Sequence, residues 1–89
     1  MITIDVGAVG DERELHALLA VTLRFPSFYG MNWDAFWDAI TGLVQIPDHL
    51  HFVGWAQLGE HVPYGATMLQ QALDRYQSQY RPEFVAEYV

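Results

Sequence analysis

The 89-residue sequence contains no cysteine and no lysine, and apart from histidine its only basic side chains are Arg13, Arg24, Arg75 and Arg81. The missing cysteine excludes disulfide staples, a thiol nucleophile and a cysteine-based zinc site, and leaves the redox compartment open. So few cations suit the chain poorly to displacing counterions from nucleic-acid phosphates or to binding an anionic membrane, so neither partner is expected. Apolar runs stop at about five residues, far short of the roughly 20 that a membrane-spanning helix needs. The opening Met1-Ile2-Thr3-Ile4-Asp5 has no basic segment and meets an acid at once, unlike a secretory leader. A cytoplasmic monomer with neither cofactor nor metal is the expectation.

What is present is apolar and acidic. Hydrophobic residues make up 52% and aromatics 15%, enough to fold as a single unit over residues 1–89. A chain of this size buries roughly 60–65% of the surface its unfolded form exposes. Eleven acids leave a formal net charge of −7, which makes a basic partner the natural one.

Local signals give an element order. Ile2, Ile4 and Val6 alternate with Thr3 and Asp5 as in a strand. Asp11 and Glu14 have the spacing of a capping box, and Leu15, Leu18 and Leu19 follow at helical spacing until Pro26. Pro26 and Gly30 mark a loop, and Asn32 is a candidate N-cap for a second helix reaching about Leu43. His49 to Val53 reads as a second strand, with Leu50 and Phe52 on one face. Gly54 ends it, and Trp55 to about Glu60 forms a short helix. Pro63 to about Gln79 forms a longer one, and Glu83 to Val89 a final strand. Strands separated by long helical connections pair in parallel. The expected fold is α/β, a small three-stranded parallel sheet packed by three to four helices.

From Phe25 to Asp74 no arginine or lysine occurs, while Asp34, Asp38, Asp48, Glu60 and Asp74 do. At about 100° per residue, Asp34, Asp38, Thr41 and Gly42 share one polar strip of the second helix. Phe36, Ile40, Leu43 and Val44 form the core stripe, and Trp33 and Trp37 lie on the seam between the two. Aspartates at i, i+4 repel by roughly 0.2–0.5 kcal/mol, with no cation one turn away to relieve them. A plain solvated face explains such a pair, but tryptophans bordering an acidic strip are also the composition of an interface hot spot. An acid–base or Mg²⁺ role for the pair lacks any supporting phosphate loop or nucleophile motif. His49 and His51, at i, i+2, share a strand face and read as polar surface, since no third metal ligand is evident. His16 and His61 read as surface residues, Tyr64, Tyr76, Tyr80 and Tyr88 as half-buried packing, and Trp55 as a core anchor.

The stretch Tyr29-Gly30-x-Asn32-x-Asp34-Ala35-x-Trp37-Asp38-Ala39-Ile40-Thr41-Gly42 resembles the central motif of the barstar family of intracellular ribonuclease inhibitors. The likeness is dense from Phe25 to Pro47 and continues more weakly in Trp55-Ala56-Gln57-Leu58 and Gly65-Ala66. It implies a barstar-like fold and a protein that is not itself an enzyme, but plugs the active site of a basic ribonuclease with an acidic helix. By position, Asp38 is implied as the central mimic of an RNA phosphate and Asp34 as a second anchor. Phe28 falls where the family has a key tyrosine, followed by Tyr29 and Gly30. Asn32, Trp33, Trp37, Thr41, Gly42, Leu43 and Val44 fall at contacting positions, Leu43 where the family has a tryptophan. Arg75 stands where the family has a contacting glutamate, with Asp74 adjacent. Those departures keep open an immunity protein of the same fold against another toxin. A small metal-dependent enzyme using Asp34 and Asp38 is the reading from a different class.

Overall fold

The computed structural model describes residues 1–89. In chain order they form β1 (Ile2–Asp5), α1 (Glu12–Leu23), α2 (Trp33–Asp38), a π-helical turn (Ala39–Leu43), β2 (His49–Val53), α3 (Trp55–His61), α4 (Pro63–Gln79) and β3 (Val85–Tyr88). The three strands are parallel in the order β1-β2-β3. Ile4 pairs with Phe52 and Phe52 with Tyr88, so the inward positions line up across the sheet.

Right-handed crossovers that both step in the same direction put every connecting helix on one face. The burial pattern agrees: Ile4, Leu50 and Phe52 are buried, while Thr3, Asp5, Val85 and Glu87 are exposed. Parallel sheets are ordinarily covered on both faces and apolar on both. Here the uncovered face is largely polar, with His49 paired to Glu87 and Thr3 within 3.5 Å of His51. Beneath the helices Phe36, Phe52, Phe84, Leu15, Leu19, Leu69 and Leu73 join one continuous core. Each large side chain buried there contributes roughly 1.5–3 kcal/mol.

The boundaries follow from local chemistry. Asp11 Oδ1 accepts the Glu14 N–H at 2.8 Å, and the Glu14 carboxylate accepts the Gly10 N–H at 2.9 Å. This is the capping-box exchange with its return bond moved one residue upstream. Arg24 ends α1 in the left-handed region at φ 61°, which lets the Phe25 N–H reach the Ala20 carbonyl at 2.9 Å. Gly54 ends β2 at φ 78°, and a Cβ there would lie 2.6 Å from both the N and Cα of Gly7. Only glycine satisfies that angle and that approach together. Pro63 opens α4, where its missing N–H costs nothing.

Three local expectations need correction. The second helix does not stay α-helical to Leu43: after Asp38 it widens, and the Val44 N–H bonds back five residues to Ala39. Each residue then turns by less than 100°, which carries Leu43 off the core stripe and leaves it 48% exposed. The last strand is shorter than Glu83–Val89, because the Phe84 N–H closes a turn onto the Arg81 carbonyl and pairing starts at Val85. His16 is buried, whereas Tyr64 and Tyr80 are exposed. His61 is exposed, Tyr76 is buried, and Trp55 packs against Phe52 and Tyr88.

Candidate functional site

The acidic strip sits on a short, strongly anchored helix. Asn32 Oδ1 accepts the Ala35 N–H at 2.7 Å and so starts α2, while its amide donates to the Gly30 carbonyl at 3.2 Å. One side chain thereby fixes both the helix start and the bend before it. Met31 adopts φ 56° inside that bend. Phe36 and Ile40 anchor the helix in the core, leaving Asp34 and Asp38 exposed on the opposite side. Neither aspartate makes an ion pair within the chain.

Aromatic rings frame the strip. Trp33 and Trp37 are half-buried at its edge. Phe28 projects from the loop at 73% exposure. Beyond Trp37, Tyr80 meets the indole edge-on at 5.8 Å, and Leu43 is open to solvent near the helix end. Gly42 is exposed, with nothing within 4 Å of where a Cβ would be. The Thr41 hydroxyl donates to the Trp37 carbonyl at 2.6 Å, and Val44 is half-buried against the core.

Behind the loop lies a polar cluster that the sequence reading missed. His16 is 2% exposed, its Nδ1 is 2.6 Å from the Tyr29 hydroxyl, and its ring lies 4.3 Å from that of Trp33. Burial lowers the His16 pKa, partly offset by the nearby Glu12 carboxylate, and burial likewise raises that of Tyr29. Glu12 Oε1 accepts the Trp33 indole N–H at 3.0 Å. Glu12 and His16 thus position Trp33 and Tyr29 from behind. Tyr29 is accordingly turned inward as a strut, unlike its neighbour Phe28. One signal for this was legible: Glu12, His16, Leu19 and Leu23 recur at helical spacing on the inner side of α1.

A groove of about 200 Å³ runs between α2 and α4, lined by Trp33, Asp34, Trp37, Met68, Gln71, Ala72 and Arg75. The Arg75 guanidinium lies over the Trp37 ring, 4.0 Å from its centroid. Asp74 is not part of this groove. It lines a separate hollow with Gln77, Phe84 and Val85 on the β3 side of α4. No group of three or more His, Asp or Glu side chains converges where a metal ion could be held.

This exposed acidic helix, capped by asparagine and rimmed by tryptophan, sits in a chain that matches the family model for "Barstar (barnase inhibitor)" over residues 1–89. The chain belongs to the barstar family. Among curated proteins it is similar to "Putative ribonuclease inhibitor YrdF" of Bacillus subtilis (strain 168), with 52% identity over 33 residues. That segment covers 37% of this chain and 36% of the relative, so the likeness is confined to about a third of each. The barstar-family assignment, and with it the three parallel strands and four helices, agrees with the element order expected from local signals.

Proposed function

We propose that this barstar-family chain is an inhibitor of a basic ribonuclease, and that it plugs the enzyme's active site with α2 and the loop before it. One observation carries the reading: Asp34 and Asp38 stand exposed on one helix with no cation of the chain to pair them. Two fixed carboxylates in an aromatic frame suit a site built to hold RNA phosphates. Asp38 takes the central phosphate place and Asp34 the second. Phe28, Gly30, Asn32, Trp33, Trp37, Thr41, Gly42, Leu43 and Val44 surround them as contacts that exclude water. Tyr29 holds the loop in position, and Asp74 contributes charge from α4 rather than a central contact. The inhibitor works from the cytoplasm as a monomer and is not an enzyme.

The test is calorimetric binding to a catalytically disabled barnase-type ribonuclease at low and high salt. Asp38→Ala is expected to weaken binding by at least about 2 kcal/mol, roughly thirtyfold, as a hot-spot truncation does. Its thermal stability should change by no more than a few tenths of a kcal/mol, since the lost residue relieves a repulsive i, i+4 pair. Equal binding by parent and variant would remove Asp38 from the interface. Immunity against a toxin of another kind is a second reading, favoured by Phe28, which lacks a hydroxyl, and by Arg75 beside the acidic strip. It predicts tight, Asp38-dependent binding to that toxin and none to a barnase-type enzyme.

A further inference from the structure

We infer that Arg75 sets the partner specificity of the inhibitory face, and that the matching nuclease presents a carboxylate on the rim of its basic centre. The inference rests on the inhibitor reading above. Arg81 is fully engaged: it pairs with Asp48 and Glu83 and donates to the Ile46 carbonyl and the Tyr76 hydroxyl. Arg13 lies on α1 and Arg24 at its C-terminal end. Arg75 alone lines the groove beside α2. It makes no ion pair, although Asp74 is its neighbour in sequence and Asp34 lines the same groove.

The geometry says what such a cation can take. The guanidinium is held against the Trp37 ring, 4.0 Å from the ring centroid. Its N–H edge stays free, and a planar, two-pronged donor matches the two oxygens of a carboxylate. Phosphate offers similar oxygens, but a nucleic-acid strand entering this groove meets Asp34 on its wall and a chain of net charge −7. A single carboxylate brings only one charge past Asp34, and the cations around it on a basic protein surface pair with Asp34 and with the acidic chain as a whole. The inhibitory face is therefore of two signs: Asp34 and Asp38 receive cations, and Arg75, in the groove that Asp34 also lines, receives one anion. A nuclease cationic all round its mouth fits the first part and is repelled by the second, which is how one inhibitor discriminates between related enzymes.

The experiment is calorimetry of the parent, R75A, R75E and D38A with two probes. One is a catalytically disabled barnase-type ribonuclease. The other is a set of its variants in which each mouth arginine or lysine is replaced in turn by glutamate. Against the unmodified enzyme R75E should bind at least tenfold more tightly than the parent, with R75A between them. Against one glutamate-bearing variant the order should invert. If the parent binds and D38A does not, while R75E and R75A match the parent on every probe, Arg75 does not face the partner and the inference falls, leaving the inhibitor reading standing. If neither parent nor R75E binds any probe, both fall together. Arg75 is exposed, so its variants fold, and circular dichroism melting verifies this.

Discussion

His16 is wedged between the Tyr29 hydroxyl and the Trp33 ring, with Glu12 one turn away on α1, and burial holds its pKa below the ordinary 6.5. An unfolded chain at pH below 6.5 takes up a proton that the folded chain resists. The contribution of His16 is therefore intact above pH 6.5 and is lost as pH falls from there towards the lowered folded value. Parent melting temperatures should drop more steeply between pH 7 and pH 5 than those of His16→Asn. The variant should itself be less stable at pH 7 by about 1–3 kcal/mol, because it leaves the Tyr29 hydroxyl poorly matched. Parallel pH profiles would remove His16 as the source. The residue resembles a surface histidine in isolation, and only its place on the Glu12–Leu19–Leu23 stripe marks it as buried. Polar residues on an apolar stripe are easily assigned to solvent, since their partners, here Tyr29 and Trp33, come from elsewhere in the chain.

At the scale of elements, the interruption of α2 matters most. The caps at Asp11 and Asn32, the stops at Arg24 and Gly54 and the alternation in β1 and β2 rest on neighbours in sequence, so local signals locate them. The widening at Ala39–Leu43 is a choice of hydrogen-bond register, and no residue type there demands it. A fixed angular step carried through it misplaces Leu43. Such turns re-aim side chains at functional surfaces. Gly42 sits in this turn without a positive φ and with open space where a Cβ would go. Gly42→Ala should then raise stability by about 0.4–1 kcal/mol through the unfolded state. The added methyl would stand on the exposed side of this helix, so affinity for the proposed ribonuclease partner should fall while the melting temperature rises. Denaturant unfolding and calorimetry read the two effects separately, and a loss of stability would place a hidden constraint at Gly42.

At the scale of the molecule, charge and size act together. The protein measures 29 × 28 × 20 Å and carries a formal charge of −7. At about 0.01 M salt the screening length is roughly 30 Å, so the whole molecule attracts a basic partner; at about 0.15 M it is roughly 8 Å, and only the acids near the contact are felt. Stopped-flow association with a basic ribonuclease should slow at least tenfold over that range, with dissociation changing much less. A salt-independent association rate would mean that the charge is not used for steering. The overall architecture was legible because two helical connections between three strands leave few arrangements open. The groove was not, since Arg75 and Trp37 lie far apart in sequence and meet only when α2 and α4 pack.

The three tryptophans divide along the same line. Trp33 and Trp37 border the acidic strip, the first held by Glu12 and the second covered by Arg75, while Trp55 packs apart from them against Phe52 and Tyr88. Indole emission responds to the polarity and charge around the ring, so the protein carries its own optical reporters in two separate places. Replacing Trp55 by phenylalanine leaves light that speaks for the contact surface alone; replacing Trp33 and Trp37 leaves a lamp in the core. Docking and unfolding can then be watched by colour on unlabelled protein, each through its own rings.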